Sequence, residues 1–165
     1  MTDAAMPNGP STAQPDTAPL SQSSFEPRAA EPTARRGAIL VIEDRDDVRQ
    51  GLAQLLEFQG YMVFEAANAA EAFGHLDSSP QGIALMLLDL NLPGPGGADI
   101  RATQLADARL ADIPTIVVTA CAPDLADREG LRAAAWIEKP FRFDQLLEEV
   151  RRFVLPETEK RRDPS

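Results

Sequence analysis

Four apolar runs in this chain stop at residues able to do chemistry. "AILVIED" (Ala38 to Asp44) closes on two acids, Glu43 and Asp44, and "IALMLLD" (Ile83 to Asp89) closes on a third, Asp89. "PTIVVTA" (Pro114 to Ala120) ends in Thr119 and Ala120, and "AAWIEKP" (Ala134 to Pro140) runs into Lys139. If those ends meet, three carboxylates, a hydroxyl and an ammonium share one cleft. Clustered carboxylates repel one another, and the remedies are a raised pKa or a bound cation. The chain has one histidine, His75, and one cysteine, Cys121, so histidine-rich or thiolate metal sites and an internal disulfide are excluded. All-oxygen ligation favours Mg²⁺ or a similar hard divalent ion, which keeps waters and leaves positions for a phosphate oxygen. A carboxylate beside such an ion can attack phosphorus and form an acyl phosphate. Metal and lysine then offset the repulsion between that carboxylate and the anionic phosphoryl group.

Those ends meet only if the runs are strands of one sheet. "AILVIE" is followed by helical spacing of Val48, Leu52, Leu55 and Leu56 up to Gly60, and "YMVFEA" (Tyr61 to Ala66) by a helix capped by Asn68 that buries Ala72, Phe73 and Leu76. The Asp89 run leads, through "NLPGPGG", into a helix from about Gly97 to Ala108. After "PTIVVTA" comes a weaker helix, then "AAWIE", then a closing helix from Asp144 with Leu146, Leu147, Val150, Phe153 and Val154 on one face. Five strands each followed by a helix predict an α/β fold, a doubly wound parallel sheet covered on both faces. In such sheets ligands gather at the carboxyl ends of the strands.

The chain has 165 residues, room for one domain. Residues 1–36 are rich in Pro, Ala, Ser and Thr and predict a disordered extension whose removal leaves folding intact; residues 37–155 form the domain, and 156–165 a short charged tail. A net charge of -10 leaves no basic surface for direct nucleic-acid contact. The start lacks the basic and apolar segments of a signal peptide and no run reaches membrane-span length, so no membrane association and a cytoplasmic location are expected. "GPGG" lacks the spacing and position of a dinucleotide fingerprint, and no phosphate-loop lysine motif accompanies "LMLLDL".

Together "VIEDR", "LLDLNLPG", "VVTA" and "EKPF" resemble the receiver domain of two-component response regulators, of the single-domain, chemotaxis-regulator type, across Gly37 to Leu155. The resemblance implies a (βα)5 flavodoxin-like fold with strand order 2-1-3-4-5. It also implies Asp89 as phosphoacceptor, Mg²⁺ held by Asp44, Asp89 and the Asn91 carbonyl with Glu43 acting through water, and Thr119, beside the small Ala120, hydrogen-bonding the phosphoryl group. Lys139 would pair with phosphoryl oxygens, and Pro140 would follow a cis peptide bond. The position of the switch aromatic is filled by Trp136, larger than usual, and "PGPGG" replaces the commoner Pro-Gly-Met-Asp-Gly. The stretch from Thr119 to Lys139 is also short, which predicts a short or irregular fourth helix.

Taken singly, the acids at 43 and 44 could be a helix N-terminus, Thr119 a strand-end hydroxyl and Lys139 a solvated charge; their joint placement is what carries the reading. Trp136 is expected to act more as a packing residue than as a moving switch, and Cys121 and His75 as ordinary near-surface residues. The resulting expectation is a stand-alone receiver rather than an enzyme. It would be phosphorylated on Asp89 by a histidine kinase or histidine phosphotransfer protein, catalysing its own phosphoryl transfer and dephosphorylation. It would signal by contact with a downstream effector protein or pass the phosphoryl group on in a phosphorelay, with a homodimer through the fourth helix, fifth strand and fifth helix as a further option. The alternatives are a small aspartyl-phosphate phosphatase, which would want a second aspartate where Asn91 stands, and a receiver-like adaptor that is never phosphorylated.

Overall fold

The computed structural model describes residues 34–121 and 123–157. The expectations for residues 1–33 and for the tail from 158 onward fall outside these described residues. The elements alternate strictly: β1 (Ala38–Ile42), α1 (Asp46–Phe58), β2 (Val63–Ala66), α2 (Ala69–Ser78), β3 (Ile83–Asp89), α3 (Gly97–Ala106), β4 (Thr115–Thr119), α4 (Leu125–Leu131), β5 (Ala135–Glu138) and α5 (Phe143–Phe153). They build one five-stranded sheet in the order β2-β1-β3-β4-β5 with every pair parallel.

Because side chains alternate across a strand, each central strand feeds two cores. Ile39, Val41, Leu85, Leu87, Ile116 and Val118 face α1 and α5, where Leu52, Leu56, Leu146, Val150 and Phe153 meet them. Leu40, Ile42, Met86 and Leu88 face the other way, onto Ala72, Leu76 and Ile100 of α2 and α3. Burial on both faces is why these strands read as continuous apolar runs rather than alternating ones. Each fully buried Leu or Ile contributes about 1.5–3 kcal/mol, so the central strands are the rigid part of the molecule.

The structure differs from the sequence reading in several places. β2 starts at Val63 because the Tyr61 amide is already spent on the Leu56 carbonyl, closing the end of α1. Leu55 is 46% exposed, since the inner stripe of α1 centres on Leu52 and Leu56. α3 stops at Ala106, where Asp107 turns outward and its carboxylate accepts from the Arg109 amide at 2.9 Å. α4 has 7 residues, the short fourth helix that the Thr119 to Lys139 spacing predicts.

Arg35, assigned by composition to the extension, pairs with Val154 in an isolated parallel bridge. Its amide donates to the Phe153 carbonyl at 2.8 Å, and its carbonyl accepts from the Leu155 amide at 3.0 Å. The Glu157 amide likewise donates to the Gly60 carbonyl at 2.8 Å. The folded unit therefore begins before Gly37 and reaches past Leu155.

One glycine sets the distance between α3 and β3. A Cβ on Gly97 would lie 2.3 Å from the Asp89 carbonyl oxygen and 2.6 Å from the Leu90 Cα, so only a residue without a side chain lets α3 start directly over the end of β3. Gly97→Ala is expected to destabilise the domain by about 2–3 kcal/mol through this overpacking, read as a lowered urea midpoint at constant slope. Beginning the chain at residue 37 instead of 34 removes the two Arg35 backbone bonds and should lower stability by about 1–2 kcal/mol. Equal midpoints for the two truncations would show that the bridge contributes nothing.

Candidate functional site

The parallel registers Ile42↔Leu88, Asp89↔Val118 and Thr119↔Glu138 bring the C-terminal ends of β1, β3, β4 and β5 to one edge. Each run of strand therefore delivers its last residue to the same cleft. Glu43, Asp89 and Thr119 are 3%, 5% and 2% exposed, while Asp44 is half-buried and Asn91 and Ala120 are exposed.

Lys139 is at the centre of the site. Its Nζ donates to Glu43 Oε2 at 2.7 Å and to Asp89 Oδ2 at 2.9 Å. The other oxygens are also engaged: Asp89 Oδ1 accepts from the Asn91 amide at 2.8 Å, and Glu43 Oε1 accepts from the Arg45 amide at 3.2 Å. The Lys139 amide donates to the Thr119 carbonyl at 2.8 Å, which ties β5 to β4 at the rim, and the Lys139-Pro140 bond is cis. The loop after Asp89 turns through Gly94, whose φ of 77° suits glycine.

Two carboxylates around one ammonium leave the buried site short of positive charge. Burial pushes the Glu43 carboxyl above its ordinary range; the hydrogen bonds from Lys139 and the Arg45 amide pull it back only in part, and the Asp89 charge adds to the rise. Burial pulls the Lys139 ammonium down, yet its hydrogen bonds to Glu43 and Asp89 more than offset this, so its pKa is raised. The Glu43 rise is thus chiefly the cost of burial, and the Lys139 rise comes from its two carboxylate partners. Glu43, Asp44 and Asp89 each offer a carboxylate oxygen, all within 4.8 Å of one another, in a donor set made of oxygen alone. That set fits a hard divalent cation, which would supply the missing positive charge.

Thr119 does not point its hydroxyl at a free site. Its Oγ1 donates to the Cys121 carbonyl at 3.0 Å and receives the Cys121 amide at 3.3 Å, within the loop that follows β4. Trp136 is half-buried beside Val117, further back along β5 and outside the carboxylate cluster, with the Arg128 guanidinium 5.0 Å above its ring. Cys121 is exposed, and His75 stacks on Phe64 with ring centroids 5.1 Å apart, so neither joins the cluster.

Sequence reasoning passed over Arg49. Its Nη1 donates to the Glu43 carbonyl at 2.9 Å while its other nitrogens pair with Asp46 and Glu65, which fixes the backbone of the acidic pair from α1. The only local trace is the spacing of Asp46 and Arg49, neighbours on one helix face.

Comparison with known proteins places this geometry. Residues 39–151 match the family model for the response regulator receiver domain. The chain is 35% identical over 106 residues to the phosphate regulon transcriptional regulatory protein PhoB of Pseudomonas aeruginosa, covering 62% of this chain and 45% of that protein. It is 31% identical over 120 residues to the response regulator receiver protein CpdR of Brucella abortus, covering 71% of this chain and 96% of that one. Among solved structures, the response regulator TrrA of Thermotoga maritima, in complex with Mg²⁺-BeF, superposes with a TM-score of 0.61 at 29% identity, covering 69% of this chain and 96% of that chain. The chain spans about half the length of transcriptional regulators such as PhoB. Among the described residues no helix is long and apolar enough to cross a membrane. With the matched residues taking in all five strands and the buried acid and lysine cluster, the chain belongs to the response regulator receiver domain family of two-component systems.

Proposed function

We propose that this receiver is a phosphoacceptor switch in which Asp89 takes a phosphoryl group from a histidine kinase or histidine phosphotransfer protein. The observation that carries this reading is Lys139 held between Glu43 and Asp89 with Asp44 alongside. A carboxylate oxygen of Asp89 bonds to phosphorus as the phosphorus–nitrogen bond of the donor phosphohistidine breaks; the electron pair of that bond stays on the ring nitrogen, which takes a proton from solvent, leaving an aspartyl phosphate and a neutral histidine. Asp44, Asp89 and the Asn91 carbonyl would hold Mg²⁺, with Glu43 acting through water, and the ion would supply positive charge for the transferring group; the Mg²⁺-BeF complex of the Thermotoga maritima relative supports this assignment. Lys139 moves from Asp89 Oδ2 to the new phosphoryl oxygens, keeping Glu43 as its second partner. Thr119 exchanges its bonds to Cys121 for one to the phosphoryl group, with the small Ala120 leaving space beside it. The output is a contact with a downstream effector protein, and the whole chain serves as a signalling module in the cytoplasm.

Incubation with a small phosphodonor and Mg²⁺ should add one phosphoryl mass to the wild type and none to Asp89→Asn. Modification that persists in Asp89→Asn would move the acceptor elsewhere. Folding should also be strengthened by Mg²⁺, by about 2.7 kcal/mol at a hundred times its Kd, an increment that Asp44→Asn reduces in a thermal melt. Trp136, the one tryptophan, reports the exchange at Thr119. Beryllofluoride with Mg²⁺ should change its emission in the wild type and leave Asp89→Asn unchanged. Constant emission in fully phosphorylated protein would make the indole a fixed packing residue.

A further inference from the structure

The face of α3 turned toward β4 and α4 is not apolar. Arg101, Gln104 and Thr115 are 3%, 0% and 0% exposed, and they form a closed polar set between the three elements. Arg101 Nη1 donates to Gln104 Oε1 at 2.6 Å and to Thr115 Oγ1 at 2.9 Å, and Gln104 Nε2 donates to the Leu110 and Ile113 carbonyls at 2.9 and 3.0 Å. The remaining donors of the guanidinium leave α3 altogether. Nε donates to the Leu131 carbonyl and Nη2 to the Arg132 carbonyl, both at 2.8 Å. Those carbonyls belong to the last residue of α4 and to its C-cap, where Arg132 holds a left-handed φ of 46°.

None of these partners is a carboxylate. Burial, and after it the charge of Arg132, lowers the Arg101 pKa to about 10, so the guanidinium stays charged at neutral pH. Four neutral acceptors and the negative end of the α4 dipole take the place of a counter-ion. α4 needs such a hold. A helix of 7 residues is marginal by itself, and its two ends are unequally secured: Leu131 is buried, whereas Leu125 at the first turn is 79% exposed. Beyond the Asp124 carboxylate capping the Asp127 amide, the first turn is held by the Arg128 guanidinium reaching back to the Pro123 carbonyl at 3.3 Å.

We propose that Arg101 is the positioning residue of α4: it pins the C-terminal end of the helix to α3 and β4, so that α4 is displaced only as a swing of its first turn about that fixed end. The swing links to Thr119 through the loop after β4, where the hydroxyl is bonded to Cys121; this second part rests on the phosphoacceptor reading of Asp89. A five-donor fork is what the site requires, since a lysine reaches one or two of these acceptors and not all four.

Peptide-level hydrogen exchange on the full chain tests both parts. Without any ligand, Arg101→Met should speed exchange in a peptide covering residues 129–134 at least about tenfold, with Arg101→Lys intermediate and folded should the methionine variant fail to fold. Thr103→Ala, which removes only a bond within α3, should leave that peptide unchanged. Wild-type exchange rates retained in both Arg101 variants would overturn the anchor. In wild type, beryllofluoride with Mg²⁺ should alter exchange in a peptide covering 123–128 and not in 129–134; an equal response in both overturns the swing about a fixed end. Failure of the Asp89 reading has a different signature, no phosphoryl mass and no exchange change anywhere on adding the mimic, and the ligand-free arm still decides the role of Arg101.

Discussion

One ammonium between two buried carboxylates is the constraint around which this domain is arranged. Glu43 and Asp89 come from different strands and would repel each other in a cleft that excludes most water. Lys139 arrives from a third strand and makes their approach tolerable. Removing one member of such a set leaves uncompensated buried charge, which is why the parts depend on one another more than on their individual bonds. The offset is incomplete, with Asp44 still to be balanced, and the resulting all-oxygen donor set fits a hard divalent cation. The common direction of the strands serves the same need, because only parallel pairing ends every strand at the same edge.

The surroundings hold this set in register without taking part in it. Arg49 fixes the backbone at Glu43, the Asn91 amide fixes the Asp89 carboxylate, and Gly97 lets α3 begin against the backbone of Asp89 and Leu90. At this edge the loops after β3 and β5 are tied to the two cores by Leu92 and Phe141. Thr119, in the last ladder pair of β4, turns its hydroxyl to Cys121 in the loop beyond.

Much of this was legible because an apolar run that stops at an acid, a hydroxyl or a lysine states both the strand and the end that matters. The five strands, the order implied by family resemblance and the meeting of Glu43, Asp44, Asp89 and Lys139 could be read that way. Arg101 could not: a charged residue on a helix reads as solvent-facing, and its acceptors at Leu131 and Arg132 are backbone carbonyls, which every residue possesses. The same blindness hid Arg35, whose place in the domain rests on two main-chain bonds that composition does not record. Leu55 erred in the opposite direction, since helical spacing alone does not say where the centre of an apolar stripe falls. The engagement of Thr119 with Cys121 is likewise a matter of loop geometry, invisible in "VVTAC".

The seam at the opposite pole has a topological consequence. Arg35 lies against Val154 and Leu155, and Glu157 against Gly60, so the described chain enters and leaves the fold at adjacent points beside the amino ends of the strands. A unit whose entry and exit coincide behaves as a cartridge: it can be spliced into a host polypeptide at a single surface loop, or permuted by joining its own ends, without stretching the sheet. That seam lies at the amino ends of the strands, at the opposite end of the sheet from the rim that holds Asp89.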